Sequence, residues 1–198
     1  MDVGGALRAE RRVIVVQMHG EPGSGKSTVA RELGRRLGAV VLDKDVIKSA
    51  LLSGGIGWDA ASSGAYEVYF AVARSLVEQG HRVVLDNPVF WPRVEDQWLA
   101  TAALAGSPAI LIECVCTDRA ELRRRLASRA ALASQPREPL DLTRHEGAAP
   151  TSFEPRLVLD TTQALETVVE DAMAYVHGVC GDTSSPTPLH IVERGASV

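Results

Sequence analysis

Gly20-Glu21-Pro22-Gly23-Ser24-Gly25-Lys26-Ser27, followed by Thr28, fits the pattern GxxxxGK[ST]. It comes just after a β-branched run, Val13-Ile14-Val15-Val16. It opens a segment in which Val29, Ala30, Leu33 and Leu37 recur at helical spacing. Strand, glycine-rich turn and helix in that order let several backbone N–H groups converge on one centre, at the positive end of the helix. Such a nest suits phosphate. Lys26 is placed to reach the β- and γ-phosphates of ATP, and the Ser27 hydroxyl to ligate Mg²⁺. Gly20 through Thr28 are therefore expected to hold a nucleotide.

The same alternation continues outward. Gly38 stops the first helix and Val40-Val41-Leu42 reads as a second strand. Tyr66, Tyr69, Phe70, Ala73, Leu76 and Val77 share one helical face that ends at Gly80, before a third strand, Arg82-Val83-Val84-Leu85. Val94, Trp98, Leu99 and Ala102 predict another helix, and Ala109 to Val115 a fourth strand. Leu122, Leu126 and Arg129-Ala130 lie in a long basic helix. Arg156 to Leu159 is a fifth strand, and Leu165, Val168, Val169, Ala172 and Val176 form a last helix. Nearly all-apolar strands separated by helices imply an α/β fold of three layers, a parallel sheet with helices on both faces. Two stretches break the rhythm and read as long irregular loops, Ser53 to Gly64 and the proline-rich Ser134 to Pro155.

The chain has 198 residues, 45% apolar and 23% charged, which suits one domain with a substantial core. Residues 1–177 are expected to form that domain, and 178–198 a flexible tail. With 21 basic and 25 acidic residues the net charge is −4, which argues against a broad nucleic-acid surface. Three cysteines are too few for a disulfide scaffold, and Cys114 and Cys116 read as strand residues. The apolar runs are strand-sized and no leader-like segment opens the chain, so no membrane and a cytoplasmic location are expected. Arginine is the usual base here, yet Lys26, Lys44 and Lys48 all fall near the phosphate loop and the second strand. That placement suits points needing a compact, flexible ammonium.

A phosphate loop needs a carboxylate near its metal. Asp86 ends the run Val83-Val84-Leu85, at the strand terminus where open parallel sheets bind ligands. Asp43-Lys44-Asp45 follows the second strand and reaches the same crevice. Asp45 could also start the helix from Val46 to Leu52 as its cap. A kinase has a use for the pair, because the acceptor hydroxyl must be oriented and deprotonated.

GEPGSGKST, then LDKD followed by VIKSALL, then VVLD, together resemble the small P-loop kinase superfamily. That group includes shikimate and gluconate kinases, adenylylsulfate kinase, chloramphenicol phosphotransferase and the kinase half of T4 polynucleotide kinase. The resemblance implies a five-stranded parallel sheet in the order 2-3-1-4-5, with a lid at about 130–155. By it, Asp45 is the general base, and Asp43 orders Mg²⁺ or substrate beside Ser27 and Asp86. Arg125 and Arg129 contact ATP, and Arg137 reaches it from the lid. Asp160 and Thr161 flank the adenine. Lys48, Trp58, Asn87 and Phe90 lie on the acceptor side.

The activity so implied is ATP- and Mg²⁺-dependent transfer of a γ-phosphoryl group to a hydroxyl of a small molecule, by a monomer or homodimer. A polynucleotide 5′-hydroxyl kinase and a P-loop ATPase or switch acting on a protein partner are the alternatives.

Overall fold

The computed structural model describes residues 12–88, 91–135 and 153–181. Its strands are β1 (Val15–His19), β2 (Val40–Asp43), β3 (Val83–Asp86), β4 (Ile110–Val115) and β5 (Leu157–Asp160). The helices among the described residues are α1 (Lys26–Leu37), α2 (Lys44–Ser53), α3 (Trp58–Glu78), α4 (Pro92–Leu104), α5 (Arg119–Ser128) and α6 (Leu165–Cys180). All strand pairs are parallel and the sheet order is β2-β3-β1-β4-β5, as expected.

β1 is the middle strand and is buried on both faces. Val16 and Met18 pack with Ala30 and Leu33 of α1 and with Val169, Ala172 and Val176 of α6. Val15 packs on the other side with Tyr69 and Phe70 of α3, Trp98 of α4 and Leu111 of β4. Each fully buried Leu, Ile or Phe contributes about 1.5–3 kcal/mol, so these two layers hold the sheet. β1 runs further than its β-branched start suggests, because Gln17 and His19 are also buried within it. Gln17 can sit there because its Nε2 donates to the carbonyls of Asn87 at 2.9 Å and Leu85 at 3.2 Å.

The expected loop from Ser53 to Gly64 is mostly helix. Only residues 54–57 connect α2 to α3, and Trp58 is the first residue of α3. Ala61, Ala65, Tyr69, Ala73 and Val77 recur every four residues and are all buried, so one continuous apolar stripe drives the helix through the serines and Gly64. The last helix also passes residue 177, ending at Cys180. Residues 136–152 of the expected lid and 182–198 of the expected tail lie outside the described residues.

α1 lies close against β2. A Cβ on Gly34 would sit 2.3 Å from Val41 Cγ2, so only glycine lets the helix lie this near the strand. β2 ends at Asp43, directly beside Asp86 in the β2–β3 register.

Candidate active site

The loop from Gly20 to Gly25 links the C-terminal end of β1 to the N-terminus of α1. Gly20 has φ 136, and a Cβ there would meet the Cys114 carbonyl oxygen at 2.3 Å. The turn can therefore leave the sheet only through glycine. Lys26 and Ser27 form the first turn of α1, where unpaired N–H groups face outward.

Lys26 Nζ donates to Asp86 Oδ1 at 3.0 Å, with both side chains largely buried. Burial alone would weaken the ammonium, but Asp86 beside it, helped by Asp45 and Asp43, raises its pKa. Those four residues thus form one charge cluster at the strand ends. Burial and the neighbouring Asp86 push the Asp43 carboxyl up. Two carboxylates that oppose each other this way, next to a serine at a helix start, offer hard oxygen donors of the kind Mg²⁺ takes alongside phosphate oxygens and water.

Asp43, not Asp45, caps α2: its Oδ1 accepts the Asp45 N–H at 2.9 Å. The Asp45 carboxylate is left for other partners and pairs with Lys44. Burial acts to raise its pKa, but Lys44, then Lys26 and Gln135, outweigh it and hold the group below the ordinary carboxylate range. Asp45 is consequently ionised at neutral pH.

Thr161, just past β5, is a hydrogen-bonding hub beside the phosphate loop. Its hydroxyl donates to the Ser24 carbonyl at 2.7 Å and accepts from Arg125 Nη1 at 2.9 Å. Arg125 Nη2 reaches the Thr161 carbonyl at 2.8 Å, and its Nε reaches Glu121 at 2.8 Å. Arg125 and Thr161, with Gly25, Thr28, Gln163 and Leu165, line a cavity of about 370 Å³. Its size and mixed lining suit a nucleoside. Asp160 points instead at Thr117, whose hydroxyl donates to Oδ2 at 2.6 Å. Glu21 of the loop pairs with Arg119. Arg129 caps the C-terminus of α5, one turn beyond Arg125.

Lys48, expected on the acceptor side, is buried, and its Nζ lies 3.5 Å from the centroid of the half-exposed Trp58 ring. Desolvation, then Lys44, lower its pKa. Asn87, expected to face the acceptor, is 1% exposed, and its Oδ1 accepts from the Tyr69 hydroxyl at 2.7 Å. Its carboxamide is committed inside the fold, where it braces the turn after Asp86. Phe90 and Arg137 lie outside the described residues. His19 ends β1 as a buried residue, and burial, despite the Glu113 charge, pushes its pKa down to about 4. Gln135 is the neighbour of Asp45 that the sequence did not reveal; it sits in a proline-rich stretch with no local pattern.

Residues 15–149 match the family model AAA_33, described as an AAA domain. The chain belongs to this family. The AAA domain shares 36% identity over 78 residues with the cytidylate kinase of Rhodopirellula baltica, 37% of this chain and 33% of that protein. The match thus spans about a third of that relative's length. Among solved structures, the adenylylsulfate (APS) kinase CysC of Mycobacterium tuberculosis, in complex with AMPPNP and APS, superposes with a TM-score of 0.58 at 21% identity, covering 84% of this chain and 98% of that one. A gluconokinase from Sinorhizobium meliloti superposes at 0.55 with 19% identity, over 86% and 95%. A candidate kinase of Chloroflexus aurantiacus reaches 0.66 at 20% identity, over 85% and 98%. The AAA domain has the fold of the small P-loop kinases. No helix among its described residues is long and apolar enough to cross a membrane.

Proposed function

We propose that the AAA domain is an ATP-dependent kinase that transfers the γ-phosphoryl group to a hydroxyl of a small molecule, with Asp45 as general base. The observation that carries this is the division of labour between the two acids after β2. Asp43 caps α2 through Oδ1 and faces Asp86, while Asp45 stays ionised beside Lys44. A motor or switch has no evident use for a second, separately held carboxylate here.

In this reading the Gly20–Thr28 backbone and Lys26 bind the phosphates, and Arg125 and Thr161 hold the nucleoside in the cavity they line. Ser27, Asp43 and Asp86 are the residues that would hold Mg²⁺, which when bound neutralises charge on the phosphates. Asp45 accepts the acceptor's hydroxyl proton at a carboxylate oxygen. Such transfers pass through a loose transition state with late proton movement, so an aspartate of ordinary or lowered basicity suffices. Arg129 and Arg137 are assigned to stabilising charge on the transferred group. Lys48 and Trp58 are assigned to the acceptor side. Magnesium-ATP is thus the donor, and the partner is a small molecule.

The identity shared with a cytidylate kinase favours a second reading, in which the acceptor atom is a phosphate oxygen and no general base is needed. ATP consumption measured against sugars, nucleosides and amino alcohols, and separately against nucleoside monophosphates, separates the two. Asp45→Asn should slow transfer to a hydroxyl about 10²–10⁴-fold and leave Mg-ATP affinity nearly unchanged. Full activity of that variant would remove Asp45 from the mechanism, and acceptor-independent ATP turnover would favour a switch.

A further inference from the structure

α5 ends at Ser128, and the chain then turns over α2. Gln135 N–H donates to the Leu132 carbonyl at 3.0 Å, and the Gln135 carboxamide oxygen accepts the Leu132 N–H at 3.2 Å. The turn closes on itself. Between them, Ser134 is buried against α2 and fastened there three times. Its N–H donates to Ser49 Oγ at 3.1 Å, and the Ser49 hydroxyl donates back to Ser134 Oγ at 2.9 Å. The Ser134 hydroxyl donates to the Asp45 carbonyl at 3.0 Å. Asp45 and Ser49 are one helical turn apart, so Ser134 is clasped across the turn of α2 that carries the proposed base.

The turn so fastened to the Asp45 carbonyl brings the Gln135 carboxamide next to the Asp45 side chain. Its carboxamide oxygen is already taken by Leu132 N–H, so only the NH₂ end is free to face the carboxylate. The amide cannot flip without losing one bond and setting oxygen against oxygen. Lys44 approaches the same carboxylate from the helix itself. A carboxylate held by one donor can rotate about its bond to the helix; held by two from different chain segments, it cannot.

We propose that Gln135 is a positioning residue, which with Ser134 fixes the direction of the Asp45 carboxylate toward the acceptor. This rests on the assignment of Asp45 as base. The same stretch of chain also reaches the nucleotide side, since Arg125 on α5 ties Thr161 and through it the Ser24 carbonyl. One continuous segment, residues 125–135, therefore braces both the phosphate loop and the base.

The test is a double-mutant cycle of Asp45→Asn and Gln135→Ala on the full chain, read as Mg-ATP turnover with water as acceptor and with the best hydroxyl acceptor from the panel above. Misplacing a catalytic group by about 1 Å costs up to roughly 100-fold, so Gln135→Ala should lower kcat by about 10- to 100-fold, with the Mg-ATP dissociation constant unchanged. In the Asp45→Asn background the same change should matter by no more than about twofold, because a residue acting through Asp45 has nothing left to position. Equal losses in both backgrounds, or no loss in either, overturn the proposal. A second readout needs no turnover: in the ¹⁵N spectrum, the Gln135 side-chain NH₂ pair should move on Asp45→Asn. An unmoved pair overturns it as well. Asp45→Asn at wild-type activity would instead refute the base assignment, which is a different failure.

Discussion

Thr161→Val isolates the strap across the phosphate loop. Valine keeps the shape of threonine and removes only the hydroxyl, which sits in a 9% exposed residue. The donation to the Ser24 carbonyl disappears, a neutral bond worth about 0.5–1.5 kcal/mol. The bond accepted from Arg125 Nη1 disappears too, and bonds to charged groups are worth about 1.5–3 kcal/mol. Arg125 keeps Glu121 and the Thr161 carbonyl, so its charge is not orphaned and the lower end applies. The expected total is about 2–3 kcal/mol. Part of it should appear in urea unfolding as a lower midpoint at constant slope. The freed Ser24 carbonyl also loosens the loop, so Mg-ATP should bind more weakly by calorimetry, while Thr161→Ser restores both quantities. A loss under about 0.5 kcal/mol, the range of ordinary surface substitutions, with unchanged affinity would refute the reasoning.

Lys26→Met should destabilise the protein by about 3–5 kcal/mol, because Asp86 is left buried without its cation. Adding Asp86→Asn should recover much of that stability, but no Mg-ATP binding; a double variant as unstable as the single one would show that the pair is not the cause. His19 gives a pH dependence. Its folded pKa, about 4, is below the ordinary 6.5, so the unfolded chain takes up the proton first as pH falls. Its contribution is complete above pH 6.5 and drains away toward pH 4, by about 3 kcal/mol at 1.36 kcal/mol per pH unit. Urea unfolding at pH 7.5 and 5 should show the drop, and His19→Gln should flatten it; an equally steep drop in the variant would exclude His19 as the source.

The features that could be read from the sequence are those whose cause is local. The phosphate loop announces itself because glycine spacing and a flanking strand and helix are short-range facts. The apolar strand runs did the same for the sheet. Gln17 and His19 hid the second half of β1, since a polar residue looks like a strand end until the carbonyls of Leu85 and Asn87 are seen to receive it. Ser62, Ser63 and Gly64 masked the start of α3, whose helical stripe is satisfied only once α2 and the sheet lie against it. At the site, the acids after β2 were visible, but which of them caps α2 depends on where the strand stops, which the sheet register sets. Asn87 stands beside an acid of the site and is nonetheless a core residue, held by Tyr69, 18 residues earlier in the chain and in no local pattern with it. Gln135 was invisible because its meaning comes from a turn that folds back over another helix.

Asp43 and Asp86 stand opposite one another on β2 and β3, and β2 is an outer strand with Val40 37% exposed. Half of the proposed metal site therefore hangs on the least protected border of the sheet. A local opening of that border would carry Asp43 away while the buried β1–β3 pairing stayed shut. A cation gripping both carboxylates would act as a rivet, since any ligand that binds only the closed form stabilises it by mass action. Occupancy of the site and fraying of the sheet are thus two ends of one equilibrium, and amide exchange along β2 becomes a gauge of how full the site is.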